Sequence, residues 1–307
     1  MKIERTDKMA KNKGIFFIVI ASFLLGSIPL FAKVAFKGGL NSFTTLTLRF
    51  LGAAVILFIY IKKHGYSLKI NRKQFLFIML MGSAGYFLTS AFLFNSYKYI
   101  STGLATILSF VYPIVVNLFS IVIYKEKVNF RKGLALVLSI IGIYLLVENK
   151  SGVMNIKGVL LALSGGFAYA FYVLMGANKD LKDINSFILI FYVTLVASLC
   201  AFTFSTITGQ FHLYINLYSV VGALFLSLAC TAIPLILFLM AVRCIGPSEA
   251  SILNTLEPLV SIIIGAIILK EKIGLGMVIG TFLVILSIII IAMMDKEKNS
   301  EKMNNDI

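Results

Sequence analysis

Charged residues are scarce in this sequence. Only 13% of the 307 residues are charged and 59% are apolar, whereas roughly a quarter of the residues in a soluble globular domain are charged. Lys, Arg, Asp and Glu are absent from stretches 14–32, 74–97, 99–124, 158–178, 184–242 and 273–294. This pattern excludes an ordinary soluble domain.

The sequence also lacks the motifs of several enzyme and metal-binding classes. Its three cysteines, Cys200, Cys230 and Cys244, form no C-x-x-C pair, so neither a disulfide framework nor a zinc site is predicted. No H-E-x-x-H, G-x-S-x-G or G-x-x-x-x-G-K-[ST] motif occurs, which argues against an enzyme and against an ATP-driven pump. The net charge of +15 comes from short basic clusters between apolar segments, as in loops at a membrane face rather than in a nucleic-acid-binding patch.

The apolar runs have the length of transmembrane helices. A bilayer core about 30 Å thick is crossed by roughly 20 helical residues, and the runs show none of the alternation that indicates strands. We therefore predict an all-α integral membrane protein of about ten transmembrane helices. They are expected at about 14–36, 42–61, 74–97, 101–124, 130–147, 157–176, 186–208, 217–240, 247–269 and 274–293.

Lysine and arginine are distributed unequally between the two predicted sides. With the N-terminus in the cytoplasm, the cytoplasmic segments hold twenty of these residues and the outer loops hold seven. Because basic loops are retained in the cytoplasm, this count predicts a multi-pass protein of the cell membrane with both termini cytoplasmic.

The chain contains an internal repeat. A shift of 144 positions aligns 41–43 with 185–187, and a shift of 145 aligns Pro113 with Pro258 and the Lys-Glu-Lys tripeptide 125–127 with 270–272. Five helices per repeat is an odd number, so the second repeat must enter the membrane from the opposite side. Inverted repeats of this kind form secondary transporters with a site near mid-membrane between the halves.

The repeat predicts the domain organisation of the chain. We expect a cytoplasmic leader at 1–13, a first five-helix repeat at 14–147, a second at 157–293 and a charged cytoplasmic tail at 294–307.

Several motifs resemble those of the drug/metabolite transporter superfamily, EamA type, over essentially the whole chain. In the first half these are Leu48-Arg49-Phe50, Tyr97-Lys98-Tyr99-Ile100-Ser101, Tyr112-Pro113 and Lys125-Glu126-Lys127. In the second half they are Pro247-Ser248-Glu249-Ala250-Ser251, Leu256-Glu257-Pro258-Leu259 and Lys270-Glu271-Lys272. The resemblance implies ten helices, no tightly bound cofactor, and export or exchange of amino acids, related metabolites or drugs.

We therefore expect a secondary carrier of a small organic solute that works by alternating access, with an amino acid-like solute favoured. Two alternatives stay open. One is a multidrug or cation exporter of the same superfamily, and the other is a membrane-embedded receptor or assembly protein that transports nothing. The expected partners are the solute and the lipid bilayer, with no nucleic acid and no metal; whether two copies form a homodimer is left open.

Glu257 is the one acidic residue deep within a predicted helix, about 15 Å along that helix from Pro247. A carboxyl group inside the membrane is costly and is a functional candidate by default, here as a proton carrier or as the counter-charge of a cation. Two structural alternatives compete with this role. Glu257 could form a static ion pair with Arg49 in the second helix, or satisfy backbone groups freed beside Pro258.

Polar and aromatic residues recur at helical spacing around Glu257. Asn254 and Glu257 share a helix face, Tyr112 stands opposite through the repeat, and Tyr86 and the pair Tyr169 and Tyr172 form further stripes. Tyrosine faces attract ammonium groups by cation–π interaction. The alternative for each tyrosine is simple packing between helices.

Pro113 and Pro258 interrupt two helices at equivalent depth. Each removes a backbone donor and frees a carbonyl group, and inverted-repeat transporters place their sites at such helix breaks. The two prolines therefore predict the location of a site.

The charge count generates a first prediction. A reporter domain that is active only in the cytoplasm, fused after Ile307, should be active, because the segments on the same side as the C-terminus carry most of the lysines and arginines. A fusion that is active only outside the cell would contradict the predicted orientation.

Overall fold

The computed structural model describes residues 2–112, 114–115, 134, 137–138, 141–142, 145, 155–176, 178–181, 183–238, 240–241, 244, 253–254, 256–271, 274–287 and 289–290, with side chains from residue 12 onward. Helices account for most of this part of the chain, and no strand occurs within it.

Nine helices can be delimited in the described residues. In the first half they are α1, made of Lys2–Gly26 and Ile28–Lys37, α2 Ser42–Lys63, α3 Arg72–Ser96 and α4 Thr102–Ser109. In the second half they are α5 Ile156–Gly176, α6 Ser186–Ile207, α7 Leu217–Phe238, α8 Leu256–Ile267 and α9 Leu275–Ser287. Six of them (α1, α2, α3, α5, α6 and α7) are long and apolar enough to cross a membrane. The predicted all-α membrane architecture is confirmed.

Asparagine side chains begin four of these helices. The Asn41 side chain accepts a hydrogen bond from the Thr44 N–H in the first turn of α2, and Asn185 accepts one from the Phe187 N–H in the first turn of α6. Asn71 and Asn216 cap α3 and α7 and form reciprocal capping boxes. Such caps satisfy N–H groups that a helix leaves without a partner. The four caps occupy equivalent positions in the two halves of the sequence.

The two halves enter the bundle from opposite ends. We call one end the Gly38 side, which holds residues 38–41, 97–101 and 208–216, and the other the Gly65 side, which holds 64–71, 178–181 and 183–185. Asn216 Nδ2 donates to the Gly38 carbonyl (2.7 Å) on the first side, and Gln74 Nε2 donates to the Asp180 carbonyl (3.2 Å) on the second. Helix α2 therefore begins on the Gly38 side and its equivalent α6 on the Gly65 side, which confirms the predicted inversion.

Helix packing follows the same exchange of halves. The equivalent helices of the two repeats are α1 and α5, α2 and α6, α3 and α7, and α4 and α8. When each helix of a major contact is replaced by its equivalent, the resulting pair of helices is also in contact. Thus α3 packs on α5 as α7 packs on α1, α3 on α6 as α7 on α2, and α4 on α5 as α8 on α1. Helices α2 and α6, and likewise α4 and α8, meet their own equivalents. A pseudo-twofold axis therefore passes between α2 and α6 and between α4 and α8.

Three of the predicted helices are less regular than their apolar patterns indicate. Helix α1 is interrupted at Ser27, just before Pro29. Helix α3 becomes π-helical at Met81–Phe87, and α7 does so at Leu228–Ala232, so the two repeats share this irregularity. A π-helical segment inserts one residue into a turn and is frequent at functional sites.

Glycines permit the closest contacts between the halves, and one of them gives a second prediction. A Cβ atom at Gly222 in α7 would lie 2.6 Å from the backbone nitrogen of Ala35 in α1. Gly222→Ala should therefore push the two helices apart and destabilise the protein by about 1–3 kcal/mol, seen as a lower melting temperature in detergent. The control is Gly176→Ala, where the nearest atom would be the Met81 side chain at 3.5 Å. Equal melting temperatures for both variants would contradict the expected clash.

Candidate functional site

Arg49 lies in the interior of the bundle with only 3% of its surface exposed. Its Nε donates to the Thr231 hydroxyl (2.7 Å) and its terminal nitrogen to the Cys230 carbonyl (3.5 Å). The guanidinium group lies 5.4 Å from the ring centre of Phe50 and 5.6 Å from that of Phe94. All of these partners are neutral, so the positive charge is solvated but not neutralised by them.

Both π-helical segments face Arg49. Thr231 and Cys230 belong to the segment of α7, and Tyr86, in the segment of α3, lies within electrostatic reach of the guanidinium group. The Thr231 hydroxyl also donates to the Leu226 carbonyl five residues earlier (2.8 Å). The hydroxyl thus links the irregular backbone of α7 to the buried arginine.

Glu257 lies in the first turn of α8 and is half-buried. Its carboxylate accepts a hydrogen bond from Asn254 Nδ2 (3.2 Å). The amide oxygen of Asn254 accepts in turn from the Ser22 hydroxyl of α1 (3.1 Å), and Asn254 is only 5% exposed. Since the Asn254 amide has a hydrogen bond at each end, its orientation is fixed and so is one contact of the carboxylate.

Arg49 and Glu257 are close enough to interact electrostatically but do not form a salt bridge. Among the described residues, no carboxylate lies within salt-bridge distance of Arg49, and no cation lies within that distance of Glu257. Among the described residues of the site, one positive and one negative side chain therefore lie in the interior, and each has neutral direct partners.

Four tyrosines form a continuous series between these charges. Tyr86 packs beside Phe50 (ring centres 5.1 Å apart) and contacts Tyr172 (5.6 Å). Tyr172 stacks on Tyr169 (5.5 Å), and Tyr169 meets Tyr112 edge-on (4.6 Å). The Tyr112 hydroxyl lies beside Asn254. Tyr112, Tyr169 and Tyr172 each keep part of their surface accessible.

The backbone is irregular where the two prolines were predicted to break helices. Helix α4 ends at Ser109 and a turn follows at Phe110 and Val111, whereas Pro113 itself lies outside the described residues. Pro258 is buried in the first turn of α8, directly after a turn at Asn254. The Glu257 N–H donates to the Asn254 carbonyl (3.0 Å), a carbonyl for which the proline cannot supply a donor.

Glu271 links the two repeats on the Gly38 side. Its carboxylate accepts from the Thr102 N–H (3.0 and 3.1 Å), from the Thr102 hydroxyl (3.0 Å) and from the Gly103 N–H (3.4 Å). These donors lie at the N-terminus of α4, where a negative charge is favourable. The contact joins the first repeat to the turn between α8 and α9 of the second.

The structure thus brings together Arg49, Tyr86, Tyr112, Tyr169, Tyr172, Asn254 and Glu257. Sequence reasoning did not find Ser22, Phe94 or the Cys230 carbonyl as their partners. Ser22 and Phe94 carry no periodic signal that differs from helix packing, and a backbone carbonyl carries none at all.

Comparison with known proteins identifies the relatives of this chain. A family profile described as EamA-like transporter family matches residues 12–148 and again 156–293. The uncharacterized inner membrane transporter YicL of Salmonella typhimurium is 24% identical, over 92% of this chain and 96% of that protein. An uncharacterized transporter of Clostridium kluyveri is 22% identical, over 95% of this chain and 96% of its own length. A crystal structure with 14% sequence identity shares the fold, with a TM-score of 0.67 over 94% of this chain and 99% of that one.

The hydrogen bond between Arg49 and Thr231 gives a third prediction. Thr231→Val keeps the side-chain shape but leaves the buried Arg49 Nε without its closest acceptor, which should cost about 1–3 kcal/mol. Thr231→Ser keeps the hydroxyl and is the matched control. We expect the melting temperature in detergent to fall for the valine variant and to stay close to wild type for the serine variant. Equal stability of the two variants would show that the hydroxyl contributes nothing.

Proposed function

The chain belongs to the EamA-like transporter family, and from the geometry of the site we propose that it is a secondary transporter of a small amino acid-like solute. The solute binds between the two repeats, among Arg49, Glu257 and the four tyrosines. The chain spans the membrane several times, and the proposed orientation places both termini in the cytoplasm.

The observation that carries this proposal is the separation of Arg49 from Glu257. A buried guanidinium group whose direct partners are neutral can bind a carboxylate by charge-assisted hydrogen bonds. A half-buried carboxylate without a cationic partner can bind an ammonium group. A zwitterion such as an amino acid supplies both charges, and by binding it neutralises both sides of the site.

The tyrosine series favours the same class of solute. Tyr112 and Tyr169 are partly accessible and lie within electrostatic reach of Glu257, and tyrosine faces attract ammonium groups. The same cluster would also accept a lone organic cation, so a cation exporter is the second candidate function. Arg49 argues against it, because its positive charge repels a cation.

Alternating access follows from the inverted repeat. On the Gly38 side the two repeats are joined by hydrogen bonds between Glu271 and Thr102 and between Asn216 and Gly38. We propose that these contacts break when the repeats rock against each other and the site opens to that side. Export or exchange is the direction that the family resemblance favours.

The fourth prediction tests the proposed role of Glu257 in proteoliposomes loaded with a panel of labelled amino acids and their decarboxylated amines. Wild type should exchange at least one amino acid and discriminate against the matching amine. Glu257→Gln keeps the shape of the side chain and removes its titration and charge. Because the loss of a buried charge contact typically costs 2–5 kcal/mol, exchange should fall by more than about tenfold and lose its dependence on pH.

Two further variants act as controls for that measurement. Asp180→Asn neutralises an exposed carboxylate far from the site and should leave exchange unchanged. Glu257→Gln combined with Arg49→Gln should not recover protein yield relative to either single change, because the two side chains form no salt bridge. A folded Glu257→Gln protein with full exchange and unchanged pH dependence would reject the role of Glu257. The absence of flux for every solute would favour the receptor alternative.

A further inference from the structure

An apolar groove opens on the outer surface of the bundle, away from the site described above. It has a volume of about 350 Å³ and lies on the Gly38 half, between the ends of α3 and α6 and the starts of α2 and α5. Its apolar walls include Phe43, Phe87, Phe92, Leu161 and Phe204. A second cavity of about 360 Å³ adjoins it and shares Phe87 and Phe204. Together they form an apolar channel along the membrane-facing surface.

The end of the groove nearest the Gly38 side is basic. Asn95, Tyr99 and Lys157 line it. The Lys157 Nζ lies 5.0 Å from the ring centre of Tyr99, and the Lys98 Nζ donates to Asn95 Oδ1 (3.1 Å). Both lysines are exposed, and neither forms a salt bridge with a carboxylate of the described residues. Two positive charges therefore lie at this end without an anionic partner in the described part of the chain.

The position of the lysines matches the depth of lipid headgroups. Lys98 follows the end of the α3 span at Ser96, and Lys157 is the second residue of the α5 span. Phe87 lies nine residues before Ser96, which is roughly 13 Å deeper along the helix. An amphipathic molecule with an anionic head and a long hydrocarbon tail fits this arrangement, in which a basic rim lies at one end of an apolar channel.

We propose that this groove binds one anionic phospholipid. Its phosphate lies against Lys98 and Lys157, and one acyl chain follows the channel past Phe92, Phe87 and Phe204. A water-soluble solute would gain nothing from the aromatic walls. A neutral apolar molecule, for its part, would leave the lysines unpaired. Since Phe87 belongs to the π-helical segment that also presents Tyr86 to the interior, the lipid would contact the backbone segment that lines the central site.

Native mass spectrometry of the detergent-purified full chain tests this proposal, with phosphatidylglycerol and phosphatidylcholine as probes. Wild type should retain one phosphatidylglycerol in preference to phosphatidylcholine. Lys98→Gln and Lys157→Gln should each weaken phosphatidylglycerol binding roughly fivefold, as expected for one lysine near an anionic headgroup. Lys37→Gln is the matched control: Lys37 is on the same side and its Nζ lies 4.5 Å from the Tyr218 ring, but neither Lys37 nor Tyr218 lines the groove, whereas Lys98 is bonded to the lining residue Asn95.

A variant of the apolar wall separates groove binding from adsorption at the surface. Leu161→Trp should obstruct the channel, leave both lysines in place, and abolish retention of phosphatidylglycerol while the melting temperature stays near wild type. Retention that is equally weakened by Lys37→Gln would overturn the proposal, as would equal binding of phosphatidylcholine by wild type. If Leu161→Trp is folded and binds phosphatidylglycerol as wild type does, the groove is not the binding site. If Leu161→Trp is unfolded, Phe92→Trp serves the same purpose.

Discussion

A guanidinium group inside a membrane-spanning bundle requires solvation that lipid does not supply, and the arrangement of α2, α3 and α7 around Arg49 provides it. The Thr231 hydroxyl and the Cys230 carbonyl are hydrogen-bond acceptors, and Phe50 and Phe94 offer their ring faces. Thr231 and Cys230 lie in the segment where α7 is π-helical. In a regular α-helix the Thr231 hydroxyl and the Cys230 carbonyl would point away from Arg49. The irregular backbone of α7 and the buried cation therefore depend on each other.

The repeats give the site a symmetric frame with unlike chemistry at equivalent positions. A shift of 145 places Tyr112 on Glu257, Ser109 on Asn254 and Tyr86 on Thr231. At these positions the first repeat thus supplies two phenol rings and a serine hydroxyl, whereas the second supplies an acid, an amide and a hydroxyl. A site with identical halves would hold a solute equally well in two orientations. Unlike halves orient an asymmetric solute, which is what binding of both ends of a zwitterion requires.

The depth of a residue along a helix can be counted from the sequence. The direction of its side chain around the helix axis can be predicted only to within a broad face of the helix. For that reason the approach of Glu257, Tyr112 and Arg49 to one site could be predicted, whereas the absence of an Arg49–Glu257 salt bridge could not. The apolar pattern likewise indicates that α3 spans the membrane. It does not reveal the π-helical segment at Met81–Phe87, because a turn with one extra residue has the same apolar composition as a regular turn. The partner of Asn254, Ser22, is set by close packing of α1 on α8.

The contacts at the two depths of the bundle differ in how easily they can be exchanged. On the Gly38 side, Glu271 accepts hydrogen bonds from the backbone N–H groups of Thr102 and Gly103 at the start of α4. The Glu271 side chain is itself partly exposed, so water can take over part of its hydrogen bonding when this contact opens. The partners of Arg49 lie deep in the bundle, where nothing except another polar group can replace them. Movement of α4 against the turn after α8 therefore costs less than movement of α2 against α7. A rocking motion that opens the Gly38 side is expected to leave Arg49 and its partners in place. The positive charge of Arg49 is then available to the solute both before and after the Gly38 side opens.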